Sequence, residues 1–85
     1  MLTVYTKNNC GFCVMLKNLL TKKGYDFTEV NIEEDEDAYT FVIEEGHKSM
    51  PQIYEDGSVF VEGGFEGMRA YLAEQEINNT NLGTL

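Results

Sequence analysis

Cys10-Gly11-Phe12-Cys13 sits between an apolar run, Leu2-Thr3-Val4-Tyr5, and an amphipathic segment, Val14 to Lys23. A strand, a short loop and then C-x-x-C opening a helix is the layout of a dithiol redox site. The physical reason is local. The N-terminus of a helix carries unpaired backbone N–H groups and a partial positive charge, which stabilise a thiolate on the first cysteine. That thiolate is the nucleophile in disulfide exchange. The chain has only these two cysteines. A purely structural bridge fits the spacing poorly, because closing so small a loop removes little chain entropy. A closed zinc site needs more ligands than two cysteines and one distant histidine, His47, supply, so no metal site is expected.

A chain of 85 residues makes one domain with a modest core. The net charge of −9 argues against nucleic-acid binding, which needs a basic patch. No hydrophobic stretch approaches membrane-spanning length, so no membrane partner is expected. The N-terminal residues lack the charged-then-apolar pattern of a signal peptide. Asn78-Asn79-Thr80 matches a glycosylation sequon, which carries no meaning without secretion. The expected compartment is a reducing cytoplasm, where a lone C-x-x-C is catalytic more often than structural.

The pattern along the chain gives the order of elements. Leu2 to Tyr5 reads as a strand. Leu16, Leu19 and Leu20 fall on one face of a helix that runs from the motif to Lys23, with Gly24 as its left-handed cap. Tyr25 to Ile32 alternates as a second strand. The acidic run Glu33 to Asp37 reads as a solvated helix start, and Ala38, Phe41, Val42 and Glu45 follow at helical spacing up to Gly46. Gln52-Ile53-Tyr54 and Ser58-Val59-Phe60-Val61 flank Asp56-Gly57, a strong hairpin signal. Gly63-Gly64 breaks the second of these strands. A last helix then carries Phe65, Met68, Tyr71 and Leu72 near one face. The domain is expected over residues 1–76, with 77–85 as a polar, flexible tail. The fold class is α/β, β-α-β-α-β-β-α: a four-stranded mixed sheet with three helices covering both faces. Tyr5, Phe27, Phe41 and Phe60 read as core, and His47 as a solvent residue.

Three pieces of this sequence together resemble the glutaredoxin family of the thioredoxin-like fold. Lys7-Asn8-Asn9-Cys10-Gly11-Phe12-Cys13 is similar to K-x-x-C-P-Y-C. Gly46-His47-Lys48-Ser49-Met50-Pro51 is similar to G-x-[RK]-[TS]-V-P, whose proline is cis. Gly63-Gly64-Phe65-Glu66 is similar to G-G-x-D at the start of the last helix. The resemblance spans Leu2 to about Glu76. Thioredoxin proper fits worse, because it is longer and carries a Trp before its first cysteine, where this chain has Asn9. There are departures: Gly11 stands for the usual proline, Phe12 for tyrosine, and Gly67 for the second acid of G-G-x-D-D.

The resemblance implies a thiol–disulfide oxidoreductase that reduces protein disulfides and glutathione mixed disulfides. Glutathione is then a co-substrate, and no tightly bound cofactor is expected. Cys10 is the nucleophile and Cys13 the resolving thiol. Lys7 places a positive charge beside the thiolate. Phe12 is exposed beside the thiol and contacts targets. Met50, exposed by the cis bond to Pro51, pairs its backbone with the thiol peptide, and Lys48 pairs with a glutathione carboxylate. Gly64 permits close approach of ligand, the N–H groups of Phe65 and Glu66 bind a carboxylate, and the Glu66 side chain meets the glutathione amine. The implied partners are glutathione and disulfide-containing proteins such as ribonucleotide reductase, with the chain acting as a monomer.

Two alternatives remain. Redoxins that serve ribonucleotide reductase but draw electrons from thioredoxin reductase share a Gly-Phe at the position of Gly64-Phe65. Gly11-Phe12 is also the dipeptide of monothiol glutaredoxins that assemble iron–sulfur clusters. Those have serine where this chain has Cys13, and a resolving Cys13 offers Cys10 a competing disulfide.

Overall fold

The computed structural model describes the backbone of residues 1–84 and the side chains of residues 1–76. The elements are β1 (Leu2–Thr6), α1 (Gly11–Lys22), β2 (Phe27–Asn31), α2 (Glu36–Glu44), β3 (Gln52–Glu55), β4 (Ser58–Val61) and α3 (Gly64–Thr84). They build one four-stranded sheet in the order β2-β1-β3-β4. β1 runs parallel to β2 and antiparallel to β3, and β3 and β4 form the antiparallel hairpin. This is the expected mixed sheet and element order.

Alternation along the central strand assigns its side chains to two layers. Leu2 and Val4 join Leu16 and Leu20 of α1, Ile53 of β3, and Met68 and Leu72 of α3 in an aliphatic cluster. Complete burial of each such side chain is worth about 1.5–3 kcal/mol, so this layer dominates the favourable side of folding. The opposite layer is smaller. Ile32, Ala38, Val42, Met50 and Cys13 pack there, with Tyr5 and Phe41 against them. The second cysteine is therefore itself a core residue, 2% exposed.

α1 and α2 stop by the same device. After α1, Gly24 at φ 81 lets its N–H reach the Thr21 carbonyl and Tyr25 N–H reach that of Leu20. After α2, Gly46 at φ 86 does the same, its N–H on Ile43 and His47 N–H on Val42. This pair of closing bonds needs a left-handed residue, which glycine adopts without a Cβ penalty. The hairpin turns through Asp56-Gly57, as the sequence suggests, with one irregularity. Val59 faces Tyr54 and Val61 faces Ile53, so Phe60 is an extra residue in β4.

The structure corrects several readings. Helical backbone continues in α3 to Thr84, past the last apolar position of the sequence pattern. The side chains of 77–85, read as a tail, lie outside the described residues. β2 begins at Phe27 because Tyr25 closes the end of α1 instead of joining the sheet. The acidic run is divided. Asp35 caps α2 by accepting Ala38 N–H at 3.0 Å, while Glu33 precedes the helix and bonds elsewhere. His47 is half-buried rather than solvated, its Nε2 2.6 Å from the Tyr54 hydroxyl. The closing turn of α2 brings it there. Tyr5, Phe27, Phe41 and Phe60 pack against the core partly buried, whereas Tyr54, absent from the core expected from sequence, is 1% exposed. Burial raises the Tyr54 phenol above its ordinary pKa, with Glu45 and Tyr5 adding to the effect. Among the described residues no helix is long and apolar enough to cross a membrane.

Candidate active site

The site forms where β1 ends and α1 begins. Cys10 is extended, at φ −117 and ψ 99, and occupies the cap position of α1. Its sulfur accepts the Cys13 backbone N–H at 3.1 Å, the bond a serine or aspartate oxygen makes at an ordinary helix start. No acidic side chain stands in the first turn of α1, so nothing there opposes a negative charge on the sulfur. Cys10 is half-buried and Cys13 buried, and the two are joined as a disulfide with Cα atoms 5.2 Å apart. The accessible sulfur is thus the one held at the helix end.

The second wall comes from the segment between α2 and β3. The Met50–Pro51 bond is cis, as the motif implies. Met50 and Pro51 are buried, and the Met50 carbonyl oxygen lies 3.7 Å from Cys10 Sγ. The third wall is the start of α3. Gly64, at φ 60, would bring an added Cβ to 3.1 Å from the Pro51 carbonyl oxygen, so the glycine lets this helix sit against the proline segment. Phe65 stacks on Phe12 with ring centroids 6.2 Å apart and planes 28° from parallel. Phe12 remains 56% exposed despite that contact.

These walls enclose an open groove of about 250 Å³, lined by Phe12, Ser49, Met50, Pro51, Gly63, Gly64, Phe65 and Glu66. Of the residues singled out from sequence, Phe12, Met50, Pro51, Gly64, Phe65 and Glu66 come together there. Lys7 and Lys48 are exposed and do not line it. Among the described residues neither enters a salt bridge. Glu66 already has a partner, Arg69 Nη2 at 2.6 Å, in an exposed pair one turn along α3.

Gly67 is where the chain departs most from the motif it resembles. A Cβ there would lie 1.8 Å from the Glu62 carbonyl oxygen and 2.8 Å from its carbon. The end of β4 thus fills the space that a side chain would need. Sequence reading registered the missing acid but could not supply this reason. It also missed the set of side chains behind the Cys10 loop. Asn8 backbone N–H donates to Glu33 Oε2, and Asn31 Nδ2 donates to Asn8 Oδ1 at 2.9 Å. The only signal available was the pair of asparagines before Cys10.

The profile of the glutaredoxin family matches residues 2–60. A glutaredoxin-like protein NrdH of Lactococcus lactis subsp. cremoris is 42% identical over 60 residues, covering 71% of this chain and 83% of that protein. The structure of the Escherichia coli NrdH-redoxin, described as having a thioredoxin-like activity profile, superposes with a TM-score of 0.67 at 25% identity. That match covers 75% of this chain and 82% of the other. Glutaredoxin 1 of Francisella tularensis, solved with cacodylate, gives a TM-score of 0.67 at 27% identity, covering 91% and 95%.

Proposed function

The chain belongs to the glutaredoxin family of thiol–disulfide oxidoreductases, and on that premise we propose that it is a dithiol redoxin fed by thioredoxin reductase. Its targets are protein disulfides, with ribonucleotide reductase as the target class. It acts as a monomer in a reducing cytoplasm. In the reaction, the Cys10 thiolate attacks one sulfur of the target disulfide. That S–S bond breaks, a mixed disulfide forms, and the other target sulfur leaves as a thiolate and takes a proton. Cys13 then loses its proton and attacks Cys10 Sγ, releasing the second target thiol. Two electrons and two protons pass to the target, and the Cys10–Cys13 disulfide remains for the reductase.

The observation that carries this choice of reductant is the missing second acid at the start of α3. Glutathione presents a free α-amino group, which calls for carboxylates. Glu66 is tied to Arg69, and at Gly67 the Glu62 carbonyl oxygen occupies the space for a second acid. The exposed Phe12 ring on Phe65 offers instead an apolar lip suited to a protein surface. The likeness to NrdH proteins agrees with this reading. Glutathione as reductant is the second reading, supported by the groove beside Met50 and Pro51.

A coupled assay separates them. NADPH oxidation is followed with a disulfide substrate and either thioredoxin reductase alone or glutathione with glutathione reductase. Turnover with thioredoxin reductase that is abolished in Cys10→Ser and Cys13→Ser is the expected result. Turnover only with glutathione, with Cys13→Ser keeping deglutathionylation, would overturn the choice of reductant. A brown dimeric preparation with visible absorbance would point to a [2Fe–2S] carrier instead.

A further inference from the structure

The β1–β2 ladder ends where Ile32 N–H donates to the Thr6 carbonyl at 2.9 Å. From there Lys7, Asn8 and Asn9 must carry the chain to Cys10 without a neighbouring strand. Three hydrogen bonds take over. Asn8 N–H donates to Glu33 Oε2 at 2.5 Å, Asn31 Nδ2 to Asn8 Oδ1 at 2.9 Å, and Glu33 N–H to Asn31 Oδ1 at 2.8 Å. They form a closed ring joining the redox loop to the turn after β2. The next residue, Asn9, has φ 54, a left-handed conformation that asparagine adopts more readily than most non-glycine residues. Cys10 follows directly, with its sulfur aimed at the Cys13 N–H.

We propose that Glu33 and Asn31 are positioning residues for the nucleophile: acting through Asn8, they hold Cys10 at the end of α1. The thiolate gains from the helix end only while sulfur and N–H stay aligned, because a hydrogen bond weakens steeply as its geometry opens. Glu33 acts here as an acceptor. As a charge near a thiolate it would have the opposite effect, since a like charge disfavours ionisation. These two actions predict different variants. The proposal needs the Cys10 thiolate but not a particular reductant, so it stands or falls separately from the reductant assay.

The test is alkylation of the reduced protein by iodoacetamide across pH, with modification at Cys10 and Cys13 resolved by mass spectrometry. The Cys10 thiolate forms a bond to carbon, the carbon–iodine bond breaks, and iodide leaves. Glu33→Ala should slow Cys10 alkylation near neutral pH by about threefold to tenfold, the range spanned by one net hydrogen bond. It should also move the midpoint of the pH profile upward. Glu33→Gln, which keeps an oxygen acceptor, should restore the native profile. Asn31→Ala, which opens the ring from the other side, should slow the reaction in the same direction. Faster alkylation in Glu33→Ala and Glu33→Gln alike would show a charge effect and overturn the proposal. So would an unchanged profile in Glu33→Ala and Asn31→Ala. Increased alkylation of buried Cys13 alongside the change at Cys10 would show general loosening and overturn it as well.

Discussion

α1 and α2 begin in opposite ways. α2 is capped by the Asp35 carboxylate and has Glu36 and Asp37 in its first turn. α1 is capped by the Cys10 sulfur and has no acid in its first turn. The chain carries 15 acidic residues against six basic ones, and none of the acids stands in the helix start next to the cysteines. A carboxylate at a helix N-terminus stabilises the helix by neutralising its positive end. At α2 that end is used for stability. At α1 it is left for the thiolate. The two helices also differ in what anchors them. α1 buries Cys13, Leu16 and Leu20, while α2 buries only Ala38 and Val42.

The contrast breaks most visibly at the buried face of α1. Leu16 is 0% exposed, and Leu16→Ala should lower unfolding free energy by about 2–5 kcal/mol in chemical denaturation. Cys10 alkylation in the protein that remains folded should hold its native rate. A large fall in that rate would mean that packing, rather than the helix end, sets the reactivity. A smaller effect belongs to the cap of α2. Asp35→Ala should cost about 0.5–2 kcal/mol with little change at Cys10. A loss as large as that of Leu16→Ala would make the cap more than a local device. The smallest effect is expected at the start of α1 itself. A Cβ added at Gly11 meets nothing within 4 Å, so Gly11→Glu gives α1 the acidic start that α2 already has. The substitution should leave the fold intact and raise the Cys10 pKa, read from thiolate absorbance against pH. The dipole term of about 0.3–1 kcal/mol corresponds to a twofold to fivefold loss of thiolate at a pH below that midpoint. An unchanged titration would remove the helix end from the account of this site.

Much of this molecule was legible because its signals are local. C-x-x-C at a helix start, glycine past a helix end, Asp-Gly between apolar runs and alternation in β1 each act over a few residues. They determined the order of elements, the mixed sheet and the place of the cysteine pair at a helix start. Local signals failed where a residue could serve two neighbours. Tyr25 alternates with the strand behind it, yet its N–H closes α1. Glu33 reads as one more acid of a helix start, yet it lies before the helix and faces another loop.

Thiol–disulfide chemistry is written in the chain order alone, since both cysteines and the helix start are adjacent in it. What surrounds the cysteines comes from contacts between residues far apart in the chain. The Glu33–Asn8 bond spans 25 positions and the Cys10–Met50 approach 40. The parallel register of β1 and β2 sets the first, and the antiparallel pairing of β1 with β3 sets the second. Gly67 belongs with them. Its identity is plain in the sequence, but only the placement of the Glu62 carbonyl against α3 explains why a side chain there has no room. Periodicity and capping fix elements, whereas the space between elements is fixed by how their faces pack.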